Sequence, residues 1–251
     1  MTEIKTIEQA MNASLSPSDA PTVYAFTSTP ESIANEFDLD GKLGYRFIKR
    51  VFDIVSSGLG LIVLSPVIAG TALAVKLTSP GPIIFKQKRV GKEKKLFDIY
   101  KFRTMRIDTP DLPSHMINAS DWLTPVGPTL RKLSLDELPQ LWNIFKGDMS
   151  VIGPRPALWS QFDLVAERDA YGANDIRPGL TGWAQINGRD ELSVEAKSVL
   201  DGEYIRRRSI AFDLKCFFGT ISKLSGSEVV EGKVVNPEGN LADSDAPAQK
   251  D

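Results

Sequence analysis

Two adjacent acids, Asp136 and Glu137, are the residues whose types and spacing most suggest chemistry in this sequence. They precede Pro139, and proline is favoured at the first position of a helix, where its missing N–H is no loss. We expect a short helix from Pro139 to Lys146, ended by Gly147. The positive end of that helix favours ionised acids and should lower the pKa of both carboxyl groups. Both are therefore predicted to be carboxylates at neutral pH.

A purely structural explanation exists for one of the two acids. Ser134 and Glu137 have the spacing of a capping box, which stabilises a helix start by about 1 kcal/mol without any chemistry. Capping does not explain Asp136. Nor does it explain Arg155, whose permanently charged guanidinium sits in a rigid Gly-Pro-Arg-Pro turn. With Arg131 upstream, fixed cations beside carboxylates favour a phosphate and metal site over a solvated surface.

Charge divides the 251-residue chain into three parts. Residues 1–44 carry −5 and residues 225–251 carry −4, so residues 45–224 carry +7 within a net charge of −2. A basic body with acidic ends favours anionic partners such as phospholipid head groups, nucleotides or nucleic acid. The single cysteine, Cys216, excludes an internal disulfide and suits a cytosolic face. The single histidine, His115, argues against a histidine triad or a zinc site.

The two acidic ends are predicted to be disordered, as a leader over residues 1–44 and a tail over residues 225–251. Both are rich in small and acidic residues and show no sustained apolar periodicity. The leader also lacks a basic segment followed by an apolar one, so it does not resemble a secretory signal.

Residues 54–75 form an uncharged run of 22 residues, long enough as one helix to span the hydrocarbon layer. Ser65 and Pro66 interrupt the run, and proline there removes a backbone hydrogen bond. Basic residues flank both ends, which places both ends on the cytoplasmic side. We therefore predict a re-entrant helix-break-helix over residues 45–78, in which Ser65 or nearby protein satisfies the freed backbone groups. A kinked spanning helix and a buried soluble helix are the alternatives.

Residues 79–224 are predicted to form a small, mostly helical α+β domain. A β-hairpin is expected from residues 83–107 with a turn at Gly91, and its second strand carries Lys101 and Arg103. These two cations can contact phosphate or lipid head groups, or can be solvated. A loop over residues 108–128 and three helices are expected from the rest: an amphipathic one ending at Gly172 and two over residues 198–224. The last helix carries apolar residues suited to the membrane interface or to the core.

The glycine-rich segment 176–192 is predicted to lack regular structure and to bring backbone close to a ligand. Trp183 would stack on a base, and the amides of Gln185 and Asn187, with Arg189, would bind the substrate. The alternative is a structural loop that Trp183 plugs.

In this order the motifs resemble one family, the bacterial sugar transferases. These are also called monotopic phosphoglycosyl transferases or polyprenyl-phosphate sugar-1-phosphate transferases. The resemblance covers residues 45–224 and rests on Lys49–Ile54, Ser65-Pro66, Ser79–Gly91, Tyr100–Met105, Leu130–Pro156 and Arg177–Arg189. Larger relatives carry further membrane helices and an extra soluble domain, so the chain is expected to correspond to the minimal catalytic form.

The resemblance implies a ping-pong transfer of a sugar phosphate from a nucleotide sugar, usually a UDP-sugar, to a polyprenyl phosphate such as undecaprenyl phosphate. UMP leaves first, and the polyprenyl-diphosphate sugar initiates an exopolysaccharide, capsule, lipopolysaccharide or other glycan. By the same resemblance Asp136 is the nucleophile and meets Mg²⁺, and Glu137 is its partner. Lys101 and Arg131 match cations near the pair, and Arg155 matches the arginine that holds nucleotide phosphate.

The expected location is the cytoplasmic face of the inner membrane, with membrane phospholipid as a further partner. A homo-oligomer is possible, and the sequence does not decide the oligomeric state. Two competing functions are a membrane scaffold without activity and a nucleic-acid-binding protein that uses the basic body. The intact pair of acids argues against the scaffold, and nucleic acid is not expected as a partner.

Overall fold

The computed structural model describes residues 43–109, 122–188 and 192–225 of the chain. The predictions for the leader and the tail lie outside the described residues, except that Leu43 and Gly44 begin the first helix and Ser225 ends the last. Arg189, His115 and most of the predicted loop over residues 108–128 also lie outside them.

Two helices, α1 (Leu43–Val63) and α2 (Ser65–Thr78), are bent by 62° at the break between them. Pro66 has no N–H to donate to the Ile62 carbonyl four residues earlier, and the Ser65 hydroxyl donates to that oxygen instead, at 2.7 Å. The predicted break and the predicted role of Ser65 are confirmed. Within the described residues no single helix is long and apolar enough to cross a membrane, whereas the bent pair together meets that test by length and composition.

A buried carboxylate joins α1 to the rest of the chain. Asp53 lies just before the uncharged run and is only 2% exposed. Its Oδ1 accepts hydrogen bonds from the Ser150 hydroxyl at 3.0 Å and from the Val151 N–H at 2.9 Å. Because a buried charge is tolerated only when it is hydrogen-bonded, this contact fixes α1 against the strand that contains Ser150.

The predicted β-hairpin is present. Strands β1 (Ile84–Val90) and β2 (Leu96–Phe102) pair antiparallel, with Ile84 opposite Phe102 and Val90 opposite Leu96. The connection contains a 3₁₀ turn, Lys92–Lys94, in which Glu93 and Lys94 have positive φ. Such backbone is unfavourable for residues with a Cβ, so the turn is strained.

The segment around the acids contains α3 (Gly127–Lys132), a 3₁₀ turn over Leu135–Glu137 and α4 (Gln140–Lys146). The helix predicted from Pro139 to Lys146 is therefore confirmed to within one residue, with Pro139 as its N-cap. Gly147 follows at φ 105°, a left-handed conformation that glycine adopts without strain.

A second small sheet corrects the prediction that segment 176–192 lacks regular structure. Strand β3 (Ser150–Ile152) pairs in parallel with β4 (Gly179–Thr181). Helix α5 (Phe162–Asp169) lies between these two strands in the chain, and the short helix α6 (Trp183–Ile186) follows β4. A Cβ at Gly179 would lie 2.1 Å from the Gly153 nitrogen. The glycines therefore serve close backbone packing within the protein.

The last two helices, α7 (Val194–Arg207) and α8 (Ile210–Ser225), confirm the predicted pair. α5 ends at Asp169, earlier than predicted, and Gly172 at φ 65° leads into a 3₁₀ turn over Ala173–Asp175. The main core lies between the hairpin, α4, the second sheet and these helices; its buried residues include Ile99, Ile144, Met149, Ile152, Tyr204, Phe212 and Cys216. The α+β class is confirmed.

Candidate active site

The two acids lie in the 3₁₀ turn that precedes α4. Ser134, just before the turn, has φ 54° and its side chain makes no capping hydrogen bond. The capping-box explanation of Glu137 is therefore wrong. The positive φ at Ser134 is unfavourable for a residue with a Cβ, so the backbone that leads into the two acids is strained.

Glu137 is held by two cations from distant parts of the chain. Its Oε1 accepts hydrogen bonds from Nζ of Lys101 on β2 at 2.8 Å and from Nη2 of Arg155 at 3.0 Å. Burial alone would raise the pKa of Glu137, but the charges and hydrogen bonds of Arg155 and Lys101 lower it to about 2. Glu137 is therefore a carboxylate at neutral pH.

Asp136 differs from its neighbour. It is 9% exposed, and among the described residues no cation lies within ion-pair distance of its carboxylate. Burial raises the pKa of Asp136; the nearby charges of Lys101 and Arg131 oppose that effect, and the charge of Glu137 adds to it. The expectation that the pKa of Asp136 is lowered is wrong, because burial is the largest influence on it and α4 begins only at Gln140.

Arg131 and Lys101 are positioned by neighbouring polar groups. Arg131 lies in the last turn of α3 and donates from Nε to the Thr104 hydroxyl at 3.0 Å. Burial lowers the pKa of Lys101, and the nearby charge of Glu137 opposes the change. Burial thus shifts the pKa values of both Asp136 and Lys101, and the charges of the two groups interact. Such a pair is typical of a site that binds a charged substrate.

Asn143 attaches the strand of Lys101 to α4 and was missed by the sequence analysis. It is fully buried; its Oδ1 accepts from the Tyr100 N–H at 3.0 Å, and its Nδ2 donates to the Asp98 carbonyl at 2.8 Å. These bonds occupy the free edge of β2 on either side of Ile99. An asparagine amid the apolar residues of LWNIF was the available signal, because a buried amide must find partners.

A buried ion pair supports Arg155 and was also missed. Arg168 on α5 binds Asp201 on α7 through Nε at 2.8 Å and Nη2 at 2.6 Å, and its Nη1 donates to the Arg155 carbonyl at 2.9 Å. Arg168 and Asp201 are 5% and 1% exposed. The backbone of the Gly-Pro-Arg-Pro turn is thus fixed from two helices.

The remaining predicted substrate residues make contacts within the protein. Arg103 donates from Nη1 and Nη2 to the hydroxyl and carbonyl of Ser79, at 2.8 and 2.9 Å, and from Nε to the Pro82 carbonyl at 2.7 Å. It thereby ties the end of α2 to the hairpin. Gln185 is buried and Asn187 donates to the Trp183 carbonyl at 2.7 Å.

Trp183 is part of the core region. Its Nε1 donates to Glu203 at 2.7 Å, and its ring packs against Phe212 with centroids 5.0 Å apart. These contacts support the alternative in which the indole plugs a structural segment, so the stacking of a base on Trp183 has no support in this geometry.

A family model described as bacterial sugar transferase matches residues 44–227, which include both acids and all the cations around them. The chain belongs to the bacterial sugar transferase family. This sugar transferase is 42% identical over 184 residues to the uncharacterized sugar transferase EpsL of Bacillus subtilis, covering 73% of the chain and 90% of the relative.

A second relative of this sugar transferase is UDP-glucose:undecaprenyl-phosphate glucose-1-phosphate transferase of Escherichia coli, 43% identical over 192 residues. The alignment covers 71% of the chain but 40% of the relative. The exopolysaccharide production protein PSS of Rhizobium leguminosarum is 39% identical over 200 residues, which cover 74% of the chain and 97% of that protein. The chain thus spans nearly all of some relatives and less than half of others.

Proposed function

We propose that this transferase moves a sugar 1-phosphate from a nucleotide sugar, with UDP as the nucleotide, to undecaprenyl phosphate or another polyprenyl phosphate. Two relatives are named for undecaprenyl phosphate: a glucose-1-phosphate transferase of Escherichia coli and an N-acetylgalactosamine phosphotransferase of Aeromonas hydrophila, each with a UDP-sugar in its name. Because the relatives differ in the sugar, the family leaves the sugar open. The first step would therefore serve exopolysaccharide, capsule or lipopolysaccharide synthesis alike.

The observation that carries the proposal is the division of roles between the two acids. Glu137 is bound by Lys101 and Arg155, whereas the carboxylate of Asp136 is buried without an ion pair among the described residues. A nucleophile must not have its attacking oxygen held by a cation of the protein, and no ion pair among the described residues holds Asp136. We therefore assign covalent attack to Asp136 and alignment of the surrounding cations to Glu137.

The reaction then has two balanced steps. An Asp136 oxygen attacks the phosphorus that carries the sugar; a P–O bond forms, the P–O bond to the nucleoside monophosphate breaks, and UMP leaves with that electron pair. An oxygen of the polyprenyl phosphate next attacks the same phosphorus, and Asp136 leaves as a carboxylate. Lys101, Arg131 and Arg155 reduce the repulsion between the carboxylate and the diphosphate and stabilise the charge on departing UMP.

Magnesium fits this site through a small set of protein ligands. Among the described residues no group of three or more acidic, histidine or cysteine side chains is arranged to hold a metal ion. Mg²⁺ commonly needs only one or two carboxylates because substrate phosphates and waters complete its coordination. Asp136 is the carboxylate available for it, since Glu137 is already bound by two cations. When bound, the ion would act as a Lewis acid on the phosphate oxygens.

The bent pair α1 and α2 is proposed to enter the cytoplasmic leaflet of the inner membrane and to return to the same side. Supporting this are the 62° bend, the basic residues at both ends and the exposure of large apolar side chains along both helices. The most exposed of these are Phe47, Leu59, Ile62, Val63, Leu73 and Leu77. Such an arrangement would bring the lipid phosphate and the water-soluble donor to one level.

Mass spectrometry of the full chain mixed with donor alone tests the proposal. A panel of UDP-sugars with Mg²⁺ should give UMP and a protein whose mass rises by one sugar phosphate, located on Asp136. Asp136→Asn should give no adduct, while Asp163→Asn, on the exposed face of α5, should behave as the unchanged protein. Product that accumulates with polyprenyl phosphate while the protein stays unmodified would refute the covalent step.

A further inference from the structure

A basic cavity lies at the other end of α4 from the acids. Its volume is about 340 Å³, and it is enclosed by the start of α1, the hairpin turn, β3, the 3₁₀ turn at residues 173–175 and the end of α7. None of the residues assigned to catalysis or metal binding lines it. Six cationic side chains do: Arg46, Lys49, Arg50, Lys92, Arg177 and Arg208.

The acids of the lining do not balance these cations. There are three of them against the six cations, so the lining carries a formal charge of +3. Asp213, just outside the lining, pairs with Lys49 at 2.8 Å, and counting it leaves +2. The Asp53 carboxylate is already occupied by Ser150 and the Val151 N–H. Glu93 is bound by Lys92 and by Lys95, which lies outside the lining.

Two of the arginines donate hydrogen bonds to uncharged groups. Arg50 donates to the carbonyls of Ile144 and Phe145 at 2.8 and 2.9 Å, and Arg177 donates to the Gly147 carbonyl at 2.8 Å. A carbonyl accepts the N–H but does not cancel the charge. Burial lowers the pKa of Arg177, and the nearby charge of Arg50 lowers it further. The cluster therefore repels itself, and a bound anion would relieve that repulsion.

The position of the cavity indicates where the anion comes from. The same stretch of α1 that supplies Arg46 and Arg50 exposes Phe47 (72%), Ile48 (50%) and Val51 (44%) on its other faces. A helix with cations on one side and exposed apolar residues on another lies at the level of lipid head groups. Basic pockets beside such helices on the cytoplasmic side bind anionic head groups.

We propose that this cavity binds the phosphate group of an anionic phospholipid, separately from the substrate site. The shared chemistry is an anionic phosphate group bound by Arg46, Arg177 and their cationic neighbours, so free inorganic phosphate is the second source that the test must separate. The choice of a lipid source rests on the membrane placement proposed above, whereas the affinity of the cavity for phosphate does not.

The full chain in nanodiscs, without donor or acceptor, provides the test. One set contains phosphatidylcholine alone and the other includes phosphatidylglycerol; lipid retained after transfer to neutral detergent is counted by native mass spectrometry. The unchanged protein should retain one phosphatidylglycerol. Arg46→Gln with Arg177→Gln should retain about twenty-five-fold less lipid, since each arginine near an anionic surface raises the affinity about five-fold.

Two further variants keep the test independent of folding. Arg46→Lys with Arg177→Lys keeps the charge and should keep most of the lipid. Arg206→Gln removes one charge from an exposed position outside the cavity and should match the unchanged protein. Equal retention by the double glutamine variant, or an equal loss in Arg206→Gln, would overturn the proposal.

Thermal unfolding in phosphatidylcholine with added inorganic phosphate separates the two sources. Stabilisation by phosphate that the double glutamine variant loses, without retention of phosphatidylglycerol, would support a phosphate site and reject the lipid source. If the unchanged protein neither retains phosphatidylglycerol nor is stabilised by phosphate, the proposed site is rejected. Asp136→Asn should retain the lipid fully, so a failure of the transferase assignment would leave a different pattern from a failure of this cavity.

Discussion

The two ends of α4 each meet a pair of cations, and the pairs have different targets. At the N-terminal end Lys101 and Arg155 converge on one carboxylate oxygen of Glu137. At the C-terminal end the partners of Arg50 and Arg177 within the described part of the chain are backbone carbonyls. The first pair shares the negative charge of one carboxylate, while among the described residues no carboxylate lies within ion-pair distance of the second pair.

This contrast teaches that cations of the same type can have opposite roles at either end of one short helix. The Glu137 carboxylate orients Lys101 and Arg155, and this fixed orientation suits precise positioning of a substrate. Arg50 and Arg177 instead donate to carbonyls at the C-terminal end of α4, so they cap that helix and can still attract a bound anion. Four changes test the contrast, beginning with the largest expected effect.

Lys101→Met should reduce adduct formation by on the order of 10²-fold or more, because it removes a charge that acts on both acids and leaves Glu137 with Arg155 alone. Rapid-quench mass spectrometry with donor alone measures this rate. Lys88→Met, which breaks a half-exposed pair with Asp98 on the same hairpin, should leave the rate unchanged. A similar loss in both variants would mean that the hairpin as a whole, not Lys101, is required.

Acid should weaken the N-terminal pair selectively. The folded pKa of Glu137 is about 2, below its ordinary value of 4.5, so its contribution to stability is complete above pH 4.5 and is lost as the pH falls toward 2. The difference in free energy of unfolding between the unchanged protein and Glu137→Gln should therefore shrink over that interval. Thermal unfolding in detergent at several pH values measures it; a constant difference would contradict the assigned pKa.

Asn143→Ala should lower the free energy of unfolding by about 2–3 kcal/mol, because it leaves the Tyr100 N–H and the Asp98 carbonyl buried without partners. The adduct rate should also fall, since β2 carries Lys101. As a control, Asn187→Ala removes one exposed bond to the Trp183 carbonyl and should cost less than about 0.5 kcal/mol. Equal costs would show that Asn143 does not hold the strand.

Arg50→Gln, at the C-terminal end, should lower the free energy of unfolding by about 1–2 kcal/mol through loss of the helix cap. The adduct rate per folded molecule should not change, because the carbonyls to which Arg50 donates lie at the opposite end of α4 from the acids. Comparing thermal unfolding with single-turnover mass spectrometry separates the two effects. A rate that falls with unchanged stability would show that both ends of α4 serve the chemistry.

Local patterns in the sequence predicted most of the fold's outline. Pro66, Gly91 and Gly147 mark the helix break, the hairpin turn and the end of α4, because each acts through its own backbone. The parallel pairing of β3 with β4 was missed, since three-residue strands carry too short a pattern and the glycines there were interpreted as a ligand-binding loop. Their purpose becomes visible only when Gly153 and Gly179 are seen in contact.

The site was predictable in composition but not in arrangement. The acids and the cations follow from residue types, yet the sign of the pKa shift at Asp136 depends on burial that sequence spacing does not reveal. The same is true of Asp53, Asn143 and Arg168, whose partners lie far along the chain. Long-range contacts decide these roles, and one sequence contains no direct record of them.

Cys216 has a practical consequence for all of these experiments. The thiol is fully enclosed in the core, and burial raises its pKa to about 11, so at neutral pH it stays protonated and shielded from alkylating reagents. It is also the sole cysteine of the chain. A cysteine introduced on either side of the α1–α2 bend would thus be the one position that a maleimide probe labels, and depth-dependent quenching could read the topology in the native background.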